Sequence, residues 1–317
     1  MFKKIVVRAF CLAVSFSMVA CGNQSFTKEQ EKIFMEEYMA MATIPSEPDV
    51  LEKKMKGNLE RLSKEEASNA IDGMLYAMYQ KLPSLNKMTE GMKDVIAEQK
   101  KKNIDINNPK DINKIDNATL KTFANEVLDK HFVFIKDNGS YLVQPNMEYV
   151  LEKYELHMTD ALKAMVTFSK EEYESPFYDD KNQKFDLDKV AKRIIILEDN
   201  LKKYAKTYYN ESFLKSKEYY YQIYFGMNNE LLVDSKKVAL KETMEHYQKT
   251  IKEHPDSHLS KDISIFLEKL ESTNNTMTDD IKVFLTELTR VQTIDVNKDN
   301  SSNTKEQAEN NVKETIQ

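Results

Sequence analysis

The feature that most constrains the fold is an apolar repeat stepping alternately by three and four residues. Leu187, Val190, Ile194, Leu197, Leu201, Tyr204 and Tyr208 follow it, and this spacing places them on one face of a helix. Met147, Val150, Tyr154, Met158, Ala161 and Met165 trace a second seam. Two long helices are therefore expected, packed nearly antiparallel across the short connection Ser169–Asp186. Breakers are scarce, with 6 Gly and 7 Pro among 317 residues, so long helices meet few interruptions. The expected fold class is all-α in the main, a multi-helix bundle with one β-hairpin.

Helical spacing begins near Glu29, where Ile33, Phe34, Tyr38 and Met41 share a face until Pro45 and Pro48. Leu51, Met55, Leu59 and Leu62 make a shorter helix. Ser63 and Glu66 form a capping box, and the helix behind it is expected to stop at Pro83. Another helix is expected over 85–102, then a polar loop over 103–117 and a helix over 118–130. Phe132–Ile135 and Tyr141–Val143 flank Asn138-Gly139, a dipeptide suited to a tight primed turn, so a hairpin is expected there. Its edge is a candidate docking edge or lid, although its simpler role is to cover a core. Later helices are expected over 211–225, 229–253, 257–271 and 276–293.

The N-terminus carries different information. Lys3, Lys4 and Arg8 precede an apolar run from Ala9 to Ala20, and Met18-Val19-Ala20-Cys21 closes it. About a dozen apolar residues fit the core of an export signal and are too few for a stable membrane-spanning helix. The last four resemble the lipobox of bacterial lipoproteins, with Met18 a less usual first residue. That resemblance implies that Cys21 is the lipidation site, that residues 1–20 are a signal peptide, and that the mature chain is held on the extracytoplasmic face of a cell membrane. The organisation then reads as a lipidated tether over 21–28, a helical region over 29–130, the hairpin over 131–145, a helical bundle over 146–294 and a polar tail over 295–317, expected to be disordered.

The formal charge is −6 and becomes −9 once Lys3, Lys4 and Arg8 leave with the signal. Arg8, Arg61, Arg193 and Arg290 are the only arginines. An acidic chain so poor in guanidinium forks argues against nucleic acid as a partner, and it disfavours a basic lipid-binding patch. The two cysteines are Cys11 and Cys21. One leaves with the signal and the other is acylated, so no thiol remains for a disulfide, zinc or nucleophilic chemistry.

Aromatic residues concentrate between Tyr204 and Phe225. Three consecutive tyrosines, Tyr219, Tyr220 and Tyr221, cannot share a helical face, so some of these rings meet a second layer, a groove or solvent. Tyr219, Tyr220, Tyr221, Tyr224 and Phe225 are the candidate binding residues, tyrosine being suited to contact surfaces. Packing between two helices is the alternative. The segment Asp295–Glu306 resembles an EF-hand calcium loop, which would make Asp295, Asn297, Asp299 and Glu306 its metal ligands. Asn300 and Ser302 depart from that pattern, and a solvated tail accounts for the same residues. Tyr247–Ser257 resembles the junction between tetratricopeptide-type repeats, without the small residues expected earlier in such a repeat.

No phosphate loop, nucleophile elbow or zinc-binding helix motif is present in the sequence. His131, His157, His246, His254 and His258 are scattered, with no partner visible. No catalytic residue and no cofactor are assigned, and an enzyme is not expected. The expected function is a non-enzymatic binding or scaffold protein of the cell envelope, engaging a protein, peptide or wall polymer. A lipoprotein that captures a small molecule or ion is the alternative, and a wall-acting hydrolase is the weakest reading.

Overall fold

The computed structural model describes residues 25–44, 47–137, 140–179, 184–226 and 233–291. Within them the chain is mainly α-helical, with two small two-stranded sheets. The first layer comprises α1 (Lys28–Thr43), α2 (Pro48–Lys56) and α3 (Lys64–Gly91). Thr27 caps α1 in a reciprocal box with Gln30, and Ser63 caps α3 by accepting from the Glu66 amide. Gly73 lets α1 approach α3 closely, since a Cβ there would lie 3.2 Å from both Tyr38 and Met39. The chain enters this layer at Phe26. Its amide donates to the Arg61 carbonyl at 2.8 Å, and the Arg61 guanidinium lies 4.0 Å over its ring.

Helix α3 does not stop at Pro83 but runs through it to Gly91. An interior proline costs about 3 kcal/mol, and tertiary contacts beyond it offset that cost. Leu82 and Leu85 pack on the core, and the Asn86 side-chain oxygen Oδ1 accepts from the Val143 amide at 2.6 Å. The separate helix expected over 85–102 is thereby reduced to α4 (Lys93–Lys101). The expected polar loop contains α5 (Pro109–Ile112) and buries Ile106, Ile112 and Ile115.

Helix α6 (Ala118–Asp129) leads into β1 (Phe132–Asp137) and β2 (Ser140–Pro145), paired antiparallel with Phe134 opposite Val143. The Asn138-Gly139 turn lies outside the described residues. This hairpin covers core: Phe132, Phe134 and Val143 are buried. Asparagine side chains tie both of its edges, Asn107 to the Phe134 backbone at 2.8 Å in both directions and Asn86 to Val143. The backbone groups a docking edge would offer at these positions are thus already bonded.

The first long seam is broken. Helix α7 (Met147–Tyr154) ends in a 3-10 turn at Glu155–His157, and α8 (Asp160–Glu174) starts anew. Thr159 caps α8 by accepting from the Leu162 amide, while its own amide donates to Ser68 Oγ on α3 at 3.2 Å. The break thus falls where the chain docks on α3, and Met158 and Ala161 stay buried across it. A short pair, β3 (Tyr178–Asp179) and β4 (Lys184–Phe185), precedes α9 (Leu187–Lys203). Val190, Ile194 and Leu197 are buried as the second seam requires, but α9 stops before Tyr208, which is 82% exposed. Arg193 binds the end of α8 to α9, donating to the Glu171 carbonyl at 3.1 Å and the Ser175 carbonyl at 2.7 Å.

The last layer is α10 (Asn210–Tyr224), α11 (Lys241–Glu253), α12 (His258–Ser272) and α13 (Asp279–Val291). Helix α11 begins later than residue 229, because Val233 bridges Ala239 and Val238 bridges Thr276 ahead of it. Ser257 caps α12 after the His254-Pro255 turn.

Candidate functional site

The tyrosine-rich helix α10 lies in the core, which corrects the candidate binding face. Tyr220, Tyr221, Tyr224 and Phe225 are each at most 1% exposed, and only Tyr219, at 51%, faces solvent. Divergence of about 100° per residue aims the rings at different neighbours. Tyr220 donates to Glu172 on α8 at 2.7 Å, and Tyr221 lies 3.1 Å from both Glu198 on α9 and Asp262 on α12. The Tyr224 hydroxyl sits 3.0 Å from His246 Nε2 and from Thr250 Oγ1 on α11. Tyrosine serves here as a core residue whose hydroxyl crosses to the next helix. The partners lie 22 to 48 residues away in sequence, beyond the reach of periodicity.

Asp188, His246 and Thr250 touch in the order of an acid–base–hydroxyl relay, with Asp188 Oδ1 3.2 Å from His246 Nδ1 and Thr250 Oγ1 3.4 Å from Nε2. The hydroxyls, however, are closed off. Thr250 is 3% exposed, and its hydroxyl also lies 3.1 Å from the His246 carbonyl. No substrate reaches such an atom, so the relay fastens α11 to the start of α9. Burial lowers the His246 pKa, with Asp188 opposing that shift.

A second cluster gathers on Glu52 of α2. Its buried carboxylate accepts from Tyr149 and Tyr154 at 2.5 Å each, pairs with Lys56 at 2.9 Å and lies 3.3 Å from His131 Nε2. Burial raises its pKa, but the bonds from His131, Tyr149, Tyr154 and Lys56 outweigh it and hold the carboxyl well below the usual range. His131 stacks on Tyr149 with centroids 3.7 Å apart and adopts a left-handed backbone at φ 60°. Such strain in a non-glycine residue persists where surroundings over-determine it. Both oxygens of Glu52 are engaged, so the cluster joins α2, α7 and the residue that leads into β1 rather than offering a free base.

Asp72 of α3 differs, because burial lifts its pKa to about 6. The folded state holds this proton more tightly than the unfolded chain does. Stability is therefore lost as pH rises through about 4 to 6. Asp72→Asn is expected to stabilise the protein at pH 7 by about 2–3 kcal/mol and to flatten that part of the profile. Urea unfolding at pH 4 and pH 7 checks it, and an equal effect at both values would contradict the assignment.

A concavity lies between α8 and α9. A trough of about 390 Å³ is lined by Asp160, Lys163, Thr167, Glu171, Asn200 and Lys203, over Ala164, Phe168, Ile196 and Tyr204. From Asp160 to Glu171 it runs about 16 Å along α8 at about 1.5 Å per residue. Its floor is apolar, its rim carries both charge signs, and it is open on its solvent side. Sequence reading missed it as a site, although Ala164, small beside larger neighbours, is the signal that a gap opens there.

Among the described residues no group of three or more His, Cys, Asp or Glu is placed to hold a metal, and no helix is long and apolar enough to cross a membrane. Cys21 and the calcium-loop candidates Asp295, Asn297, Asp299 and Glu306 lie outside those residues. No family model, no curated protein and no solved structure matches this chain.

Proposed function

We propose that the protein is a lipid-anchored, extracytoplasmic binding protein of the cell envelope, non-enzymatic, whose α8–α9 trough receives a peptide segment of a partner. The anchor rests on Met18-Val19-Ala20-Cys21 after a cationic and apolar leader. Acylation supplies residence without a spanning helix, because each buried methylene contributes about 0.8 kcal/mol. Cys21→Ala is expected to abolish lipid labelling and release the chain from the membrane fraction. Wild-type labelling of that variant would refute the anchor.

The trough carries the binding half of the reading. Open, elongated and edged with both charge signs, it suits a helical or extended segment better than a small molecule enclosed on most sides. Thr167 is exposed on its rim. A photo-crosslinking residue at 167 is expected to yield a discrete adduct on intact cells, and one at Met88, far along α3, is not. Identical products from both positions would remove the trough as the site. Capture of a small molecule, the second reading from sequence, gains nothing specific from this geometry.

A further inference from the structure

We propose that one end of the bundle lies against the phospholipid bilayer, with Leu156 and Tyr208 entering the headgroup layer and Lys202, Lys203 and Lys206 facing lipid phosphates. This rests on the lipid-anchor reading above.

The linkage is short and its landing point is defined. Four residues separate Cys21 from Phe26, so an extended chain spans at most about 18 Å between them. Phe26 is seated on Arg61 through its amide and its ring. The end of the molecule carrying Arg61 is thus held within that distance of the acyl chains.

Side-chain contacts show what else occupies that end. Glu60, beside Arg61, lies 3.5 Å from His157 Nε2, which places the 155–157 turn next to the Phe26 seat. Ser68, early in α3, contacts Thr159 Oγ1 at 3.0 Å, and its side chain hydrogen-bonds Tyr209. The start of α3, the start of α8 and the connection between α9 and α10 therefore meet at one end.

Leu156 and Tyr208 lie there, 88% and 82% exposed, the two most exposed large apolar side chains among the described residues. Water is a poor environment for both. A bilayer interface suits both, since leucine enters the acyl boundary and tyrosine sits at headgroup depth. Lys202 and Lys203, in the last turn of α9, and Lys206, on the connection, are all exposed, and residues 201–209 contain no acid. Two of the acids at this end face cations or imidazole, Glu155 pairing with Lys163 and Glu60 lying against His157, while Asp160 is exposed at the start of α8. A chain that is acidic overall thus presents a local cationic and apolar edge where the tether holds it.

The test uses the mature acylated chain in vesicles of phosphatidylcholine and phosphatidylglycerol. Its cysteine is blocked by the lipid, so one introduced thiol takes a polarity-sensitive label, in Leu156→Cys, Tyr208→Cys or Met88→Cys. Met88 stands 20 residues beyond Ser68 on the same helix, about 30 Å away at about 1.5 Å per residue. Nitroxide-bearing lipids are expected to quench labels at 156 and 208 several-fold more than at 88. Flotation with equal quenching at all three positions would overturn this orientation and leave the anchor standing. Failure to float would overturn both.

Discussion

Glu52→Ala is expected to destabilise the protein by about 3–5 kcal/mol, because it leaves a buried group of donors without their acceptor. Tyr149, Tyr154, Lys56 and His131 converge on that carboxylate, and two of them come from α7, about a hundred residues away. Their loss frees α2 from α7 and releases the left-handed His131 from the contact that holds it. The contribution also depends on pH. The folded carboxyl titrates below the unfolded one, so its stabilisation is present above about pH 4.3 and is lost as pH falls below that. Urea unfolding is expected to show a wide gap between wild type and variant at pH 7 that narrows toward pH 3. A gap of the same width at both values would mean that packing, not charge, is what Glu52 supplies.

Tyr224→Ala is expected to cost about 3–5 kcal/mol, the range for truncating a large ring inside a packed core. The ring is 0% exposed and packs against Phe225, His246 and Tyr247. Tyr224→Phe keeps the volume and loses the hydroxyl that meets His246 and Thr250, for about 1 kcal/mol. Tyr219→Ala, at a half-exposed position on the same helix, is expected to stay within about 0.5 kcal/mol. Thermal unfolding of the three variants separates core from surface along one helix. A wild-type melting temperature for Tyr224→Ala would place that ring outside the core.

Helical character was legible because apolar spacing acts locally. Ser63, Asn117, Thr159 and Ser257 each cap a helix through the amide three residues away. The hairpin was legible for the same reason. Pro83 signals a helix end locally because its cost is real, while the contacts offsetting it come from β2, some sixty residues later. The seam from Met147 to Met165 has the spacing of one helix because its apolar pattern continues through a turn that Ser68 holds from α3.

The candidate site divides along the same line. From the residues alone it was determined that α10 carries more aromatic rings than one face can hold and that Cys21 closes a lipobox-like leader. Tertiary structure decided where those rings go: Glu172, Glu198, Asp262 and His246 receive their hydroxyls and leave only Tyr219 outside. It also opened the trough between α8 and α9 and brought Leu156 and Tyr208 to the end where Phe26 enters. Caps and periodic faces are set by neighbours within a few residues. Burial, grooves and shared ends depend on which distant helices meet, and no local spacing encodes that.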